Sequence, residues 1–278
     1  MWGNPKLFKL DKNLKPVAVA GVPPDYFSEK GQLWGTPLYD WEAMNSSNYD
    51  WWIKRIDRAS KNFDIIRIDH FRGLDRYYSI PADSETAEVG EWLNGPGIRL
   101  FSEIKRRLGD VKIIAEDLGV IDSGVVRLRE RTGFPGMKIL QFAFDGSPAN
   151  TYLPRNVEEN SVIYTGTHDN DTTLGFLRQL SESEFRTFKK RLRAELKLEH
   201  VTYPFVSRED TVTAMNVAAL ASKACIAVLP VQDMMILGSE ARMNIPSTPS
   251  GNWQFRLKKM PARRDWAILR KMIEGLNR

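Results

Sequence analysis

Five short apolar runs recur along the sequence, and each of them leads into a segment with helical periodicity. Such alternation is typical of parallel βα units, in which a buried apolar strand is covered by the helix that follows it. The sequence therefore predicts an α/β fold whose main sheet is parallel. The runs occupy residues 63–68, 111–115, 137–144, 161–165 and 226–231.

The spacing of these runs bears on the choice between an open sheet and a barrel. Their starts lie about 40 residues apart on average, so the eight units of a (β/α)₈ barrel would need about 320 residues. The chain has 278 residues and holds about five such units. It is therefore predicted to be either a smaller open sheet or the C-terminal part of a longer barrel.

Composition and charge exclude several classes of protein. Hydrophobic residues make up 42% and charged residues 27%, as in ordinary globular chains, and no apolar stretch approaches the ~18 to 20 residues of a membrane helix. The net charge of +5 comes largely from residues 189–197 and 256–271, which we interpret as solvated helix faces because no nucleic-acid-binding motif accompanies them. We predict neither a nucleic-acid nor a membrane partner. The single Cys225 excludes a disulfide framework within this chain and is predicted to be buried.

Local signals mark the start of some elements. Ser181 and Ser207 each stand three residues before an acid, a spacing that predicts capping boxes at two helix starts. Residues 17–41 mix proline, glycine and large aromatic residues without a period of 2 or 3.6. They are predicted to form a long ordered loop, and loops of this length are usually functional.

The first predicted strand ends in two charged residues that could take part in catalysis, Arg67 and Asp69. Period-2 geometry places both side chains on one face of the strand, where charges need partners because the strand is otherwise buried. Arg67 would favour the ionised carboxylate of Asp69, which would make it available as a nucleophile. A purely structural ion pair remains the alternative at this point.

Two further strands end in acids. Of the adjacent Glu116 and Asp117, only Glu116 is expected to point inward, which leaves Asp117 to cap the following turn. Asp171 is likewise predicted to cap a helix, so that His168 and Asp169 face the site.

Acids at the C-terminal ends of three parallel strands would converge on one mouth of a barrel. Breaking an acetal requires a carboxylate nucleophile and a carboxylic acid that protonates the leaving oxygen, and a third acid can stabilise the positive transition state. His70 and His168 neighbour these acids, so a metal site built from two histidines and a carboxylate is an alternative. Trp34 is predicted to stack on a sugar ring, with packing inside its loop as the alternative.

Six segments of the sequence resemble the amylomaltases, which are the 4-α-glucanotransferases or disproportionating enzymes of glycoside hydrolase family 77. The resemblance runs in order over nearly the whole chain and implies that strands four to eight of a TIM (β/α)₈ barrel are present, with roughly the first 200 or more residues absent. The segments are GVPPDYFSEKGQLWGTPLYDW (21–41), RIDHFRG (67–73), IIAEDLG (113–119), GFPGMKILQFAFDG (133–146), YTGTHDNDTTLG (164–175) and EARMNIPS (240–247).

The resemblance also implies roles for individual residues. Asp69 would be the nucleophile, Glu116 the general acid and base, and Asp169 the transition-state stabiliser. Residues expected to bind sugar are Arg67, His70 and His168 at the donor side, Trp34 in the 17–41 active-site loop at the acceptor side, and Asn252.

The expected activity is retaining transfer of an α-1,4-glucan segment to the 4-hydroxyl of another glucan or glucose. No cofactor or metal is implied, and the expected partners are maltooligosaccharides and α-1,4-glucans. Net hydrolysis and a noncatalytic glucan-binding fragment are the alternatives. The implied compartment is the cytoplasm, or a plastid if a transit peptide precedes this segment.

Overall fold

Both units into which the chain divides, Met1–Gly136 and Met137–Arg278, contain strands and helices. The computed structural model describes residues 3–24, 28–119, 121–276 and 278. The predicted α/β class is confirmed. No helix within these described residues is long and apolar enough to cross a membrane.

The first unit contains an antiparallel sheet of four strands in the order β2-β1-β4-β5 and a parallel pair, β3-β6. Its strands are β1 (Ala18–Val22), β2 (Gln32–Pro37), β3 (Ile66–Ile68), β4 (Arg76–Pro81), β5 (Glu91–Asn94) and β6 (Ile113–Ala115). Its helices are α1 (Trp41–Ser46), α2 (Asp50–Ser60), α3 (Arg72–Asp75), α4 (Ile98–Leu108) and α5 (Ser123–Thr132), with a 3₁₀ turn at Pro5–Leu7.

The parallel pair lies on a helical layer because its residues are apolar on the covered face. All three residues of β6 are buried, and Ile68 pairs with Ala115 across the two strands. Helices α2 and α4 repeat apolar residues at helical spacing, so each buries one stripe against the same core. Buried members of this core include Ile53 and Ile56 of α2, Leu100 and Ile104 of α4, and Ile113 of β6.

The second unit contains a sheet in the order β7-β8-β9, in which β8 and β9 are parallel. Its strands are β7 (Gly136–Ile139), whose first residue is the last residue of the first unit, β8 (Ser161–Tyr164) and β9 (Ile226–Val228). Its helices are α6 (Thr173–Gln179), α7 (Glu182–Leu198), α8 (Arg208–Ala221), α9 (Val231–Met234) and α10 (Arg263–Gly275). Further 3₁₀ turns lie at Leu140–Phe142, Pro154–Asn156 and Ser239–Ala241.

Helices α7 and α8 begin where the sequence predicts capping boxes. The hydroxyl of Ser181 accepts from the backbone N–H of Glu184, and the Glu184 carboxylate accepts from the N–H of Ser181. Ser207 and Asp210 exchange the same two bonds. Both predictions are confirmed, and the predicted apolar runs all contain a strand.

The prediction that residues 17–41 form one long ordered loop is wrong, because the segment contains two strands. Strands β1 and β2 pair antiparallel, with Gly21 opposite Leu33, while residues 25–27 lie outside the described part. The central residues of β2 are exposed, so β2 shows no apolar alternation. At Gly21 a Cβ atom would lie 2.2 Å from the Gln32 carbonyl oxygen, and the glycine therefore allows the close backbone approach.

Two predictions about single residues are also wrong. The N-cap of α5 is Asp122, while capping of the turn after β6 by Asp117 stays a prediction. Thr172, not Asp171, caps α6. Cys225 is exposed rather than buried, although its Sγ donates to the Ser161 carbonyl oxygen at 3.2 Å. In each case the residue type was compatible with several positions, and packing selected one.

We expect Leu192→Ala to lower the free energy of unfolding by about 2–5 kcal/mol, because Leu192 is fully buried and its truncation would leave a cavity. Leu198→Ala is the matched control on the same helix, since Leu198 is 57% exposed, and should change that free energy by less than about 0.5 kcal/mol. Urea denaturation followed by circular dichroism measures both values. Equal losses in the two variants would contradict the assignment of the core.

Candidate active site

Arg67 and Asp69 lie at the carboxyl end of β3 and form an ion pair. Arg67 Nη2 lies 2.8 Å from Asp69 Oδ1, and the Asp69 side chain is 76% exposed. The predicted pairing of the two side chains is confirmed. The carboxylate is therefore held on one side by a cation and open to an incoming molecule on the other.

Glu116 follows β6 and is attached to the β3 end by its backbone and by its carboxylate. Its N–H donates to the Ile68 carbonyl oxygen, and its own carbonyl oxygen accepts from the N–H of Phe71, both at 3.0 Å. The carboxylate oxygens accept from the backbone N–H of His70 at 2.7 Å and of Leu118 at 3.0 Å. These contacts fix the position and the orientation of the carboxyl group.

The environment of Glu116 favours its protonated form. Burial raises the pKa of this carboxyl, the backbone hydrogen bonds from Leu118 and His70 lower it, and the nearby charges of Asp69 and Arg67 act in opposite directions, with a net increase. A carboxyl group with a raised pKa is suited to donate a proton.

Asp117, the next residue, has a different partner from Glu116. Its Oδ2 lies 3.2 Å from Nε of Arg129 on α5, and both side chains are less than a tenth exposed. Breaking a buried pair of this kind is costly, because removal of either partner leaves the charge of the other uncompensated. The pair attaches the segment that carries Glu116 to the helix behind it.

His70 adopts a left-handed backbone conformation, with φ of +48°. Burial lowers the pKa of its imidazole to about 4, so the ring is neutral at pH 7. The indole of Trp34 meets it edge to face, with 4.8 Å between the ring centroids. Gly73 lies against the same ring, and a Cβ atom there would come within 2.7 Å of His70 Cδ2.

A cavity of about 960 Å³ reaches Asp69 and His70 within the first unit. Aromatic side chains make up much of its lining, among them Tyr39, Trp52 and Tyr77. A largely apolar cavity whose lining includes a few polar groups is typical of small-molecule sites.

Asp169 of the second unit lies in the loop that follows β8 and is held from several directions. Its Oδ1 accepts from Asn244 Nδ2 at 2.6 Å, and its Oδ2 lies 3.2 Å from His168 Nε2. Arg242 donates to the Asp169 carbonyl oxygen at 2.8 Å. The carboxylate remains about half exposed, so it is oriented but accessible.

Asn244 and Arg242 were not among the predicted site residues. Both lie in the segment 240–247 that carries part of the family resemblance, and that motif was the available signal. Their distance from Asp169 in sequence hid the contact. Trp253 was also missed as a neighbour of His168, with 5.1 Å between the ring centroids.

Asn252 uses its side-chain amide within its own loop. Its Oδ1 accepts from the Ile245 N–H at 2.9 Å, and its Nδ2 donates to the Thr248 carbonyl and hydroxyl oxygens. These bonds give Asn252 a local structural role. Its binding of sugar stays a prediction.

The predicted site residues thus form two groups. Arg67, Asp69, His70, Glu116 and Trp34 are associated in the first unit, and His168 and Asp169 in the second. The convergence of all three carboxylates stays a prediction. Within the described residues no group of three or more His, Cys, Asp or Glu side chains is arranged to hold a metal ion, so the metal alternative gains no support.

Comparison with known proteins matches residues 1–261 to the model of glycoside hydrolase family 77, described as 4-alpha-glucanotransferase. The chain is 48% identical to the 4-alpha-glucanotransferase of Streptococcus pneumoniae over 257 residues, which cover 92% of this chain and 49% of that protein. It is also 48% identical to the Thermus thermophilus 4-alpha-glucanotransferase, with 92% of this chain and 51% of that protein covered. The chain therefore spans about half the length of these relatives.

Solved amylomaltase structures also resemble this one. The amylomaltase of Streptococcus agalactiae in complex with acarbose matches with a TM-score of 0.90 and 39% identity, over 100% of this chain and 54% of that chain. The amylomaltase of Corynebacterium glutamicum matches in fold, with a TM-score of 0.69 and 20% identity, over 85% of this chain and 38% of that chain. Because the family model matches most of this chain, the chain belongs to glycoside hydrolase family 77.

Proposed function

We propose that this chain is the catalytic C-terminal part of a 4-α-glucanotransferase. The observation that carries the proposal is the presence, at the ends of two paired strands, of two acids in different environments. Asp69 is exposed and bound to Arg67, and Glu116 is held by two backbone amides and has a raised pKa. Retaining glycoside chemistry needs these two environments side by side. Membership of the family supports the same assignment.

The architecture that we propose is part of a (β/α)₈ barrel within residues 1–278. Strands β3 and β6 to β9 would supply five consecutive strands of it, with the β1–β2 hairpin as an active-site element. Parallel pairing of β3 with β6 and of β8 with β9 supports this arrangement. The three further strands would come from a preceding part of the protein, in keeping with the half-length match to its relatives.

In the first step, Asp69 attacks the anomeric carbon of a bound α-1,4-glucan. The bond to the leaving oxygen breaks, and Glu116 gives its proton to that oxygen, so that the shortened glucan departs with a free 4-hydroxyl. The segment that stays is joined to Asp69 as a glycosyl ester.

In the second step, the ionised Glu116 takes the proton from the 4-hydroxyl of an acceptor sugar. The acceptor oxygen attacks the anomeric carbon, the ester bond to Asp69 breaks, and a new α-1,4 bond forms with overall retention. Glu116 is then protonated and Asp69 ionised, as at the start.

Asp169 would stabilise the positive charge that develops on the sugar in both steps. Its attachment to Asn244 and His168 supports this role, because a preoriented carboxylate needs little reorganisation when charge appears. The binding of acarbose by the Streptococcus agalactiae relative supports an oligosaccharide ligand, and we propose maltooligosaccharides as substrates here.

Asp69→Asn, in an enzyme with the complete barrel, should lower transfer by about 10⁴-fold or more, because the nucleophile is lost. Chromatography of labelled maltotriose measures this, since transfer yields both longer and shorter oligomers. Glu116→Gln is the matched isosteric variant. It should lose transfer from maltotriose but still form the ester from α-maltosyl fluoride, whose leaving group needs no proton.

Asp69→Asn activity within about tenfold of the parent would contradict the assignment of the nucleophile. Release of glucose and maltose without longer products by the parent would favour a hydrolase. An unchanged maltotriose pool would favour a noncatalytic glucan-binding protein.

Trp34→Ala should raise the ratio of hydrolysis to transfer about fivefold, because a stacking contact of ~1 kcal/mol with the acceptor would be lost. Trp266→Ala is the matched control, since Trp266 is also about half exposed but lies on α10. Simultaneous measurement of reducing sugar and of longer oligomers gives the ratio. If the ratio is unchanged in Trp34→Ala, the indole has a packing role only.

His70 should titrate near pH 4 rather than 6.5, as burial of its ring requires. Because the folded protein then binds this proton less tightly than the unfolded chain, its stability should fall as the pH drops from 6.5 toward 4. Imidazole NMR shifts give the midpoint. Trp34→Ala should expose the ring and raise the midpoint, whereas Trp253→Ala should leave it unchanged; a wild-type midpoint at 6 or above would refute the burial.

A further inference from the structure

Asp233 is a buried acid that neither the sequence analysis nor the proposed mechanism uses. It lies on the short helix α9, immediately after β9, and is 2% exposed. Its own carbonyl oxygen accepts from Asn216 Nδ2 at 3.3 Å, and its N–H donates to the Pro230 carbonyl oxygen at 3.0 Å. Asp233 is thus attached to the core of the second unit.

The carboxylate of Asp233 binds both ends of one loop. Its Oδ2 accepts from the hydroxyl of Thr165 at 2.5 Å and from the hydroxyl of Thr173 at 2.7 Å, while its Oδ1 accepts from the Thr173 N–H at 2.8 Å. Thr165 directly follows β8, and Thr173 begins α6. Residues 166–172, which include His168 and Asp169, lie between these two anchors.

Stability alone gives little reason for an acid at this place. Both threonines are fully buried, and an ionised carboxylate among them loses its hydration for three hydrogen bonds from neutral donors. Replacement of such a buried polar group together with its partners by apolar residues of similar volume often costs no stability. The carboxylate instead fixes positions, because its two oxygens set the distance between Thr165 and Thr173 and the orientation of their hydrogen-bonding groups.

We propose that Asp233 is a positioning residue that sets the place of Asp169 by joining the two ends of its loop. The inference rests on the proposed role of Asp169. Arg242 and Asn244 donate hydrogen bonds directly to Asp169. Asp233 does not contact Asp169 in this way and instead binds the two ends of the loop that carries it.

The test compares Asp233→Ala with Asp233→Asn in the complete enzyme. Rates are divided by the number of sites that a 5-fluoro derivative of α-maltosyl fluoride labels covalently, because the fluorine at C5 slows breakage of the ester and lets it accumulate. Asp233→Ala should lower kcat per labelled site by about 10²-fold, the order expected for a displacement of about 1 Å, with little change in KM. Asp233→Asn keeps the shape and an acceptor for the Thr173 N–H. It should restore kcat to within about tenfold of the parent.

Glu195→Gln is the control for stability. Glu195 is equally buried and accepts from the backbone N–H and the guanidinium of Arg155, but it lies on α7. Its replacement should lower the melting temperature and leave kcat per labelled site within about threefold. A comparable loss of kcat in Glu195→Gln would show that general destabilisation explains the effect, and would overturn the inference.

A double mutant identifies the residue through which Asp233 acts. If it acts through Asp169, Asp169→Ala combined with Asp233→Ala should be no slower than Asp169→Ala alone, since the two losses are not additive. If the loss of kcat in the double mutant equals the product of the losses in the two single mutants, the inference is overturned.

Hydrogen exchange separates this inference from the proposed function. Backbone amides of residues 166–172 should exchange faster in Asp233→Ala than in the parent, whether or not the protein transfers glucan. An inactive parent with this acceleration would overturn the proposed function but not the anchoring of the loop. Unchanged exchange, or a kcat per labelled site within threefold of an active parent, would overturn the inference itself.

Discussion

Parallel pairing of two three-residue strands is the constraint on which the first unit's site depends. The pairing of β3 with β6 brings Glu116 beside the end of β3, where the backbone amides of His70 and Leu118 bind its carboxylate. Backbone amides are fixed by the fold and cannot swing away as side chains can. The acid is therefore oriented by the same hydrogen-bonded framework that holds the strands together, and Asp69 receives its position from the neighbouring strand end.

The two acids of this unit differ in environment rather than in chemistry. Asp69 is largely exposed and bound to a guanidinium, whereas Glu116 is withdrawn from water and its pKa is raised. Opposite environments of this kind let two carboxyl groups serve as nucleophile and proton donor at one pH. In the second unit Asp169 is held by an amide and an imidazole, an arrangement that orients the carboxylate and leaves it accessible.

Much of this could be predicted because it depends on local sequence. Apolar runs identify the strands, side-chain alternation separates Glu116 from Asp117, and the spacing of Ser181 and Glu184 defines a helix start. The hairpin of residues 17–41 escaped prediction because the exposed centre of β2 shows no apolar alternation. The contact of Asn244 with Asp169 joins residues 75 positions apart, a separation that no local pattern reports.

By itself, the sequence determined which residue types stand at the strand ends and, through its motifs, the family to which the chain belongs. Both follow from order along the chain, because alternation and periodicity are properties of neighbours. Only the tertiary structure decided that Asp117 pairs with Arg129, that Asp122 caps α5, and that Asp233 joins Thr165 to Thr173. These choices depend on distance and burial, since an acid takes whichever partner the packed chain brings within reach.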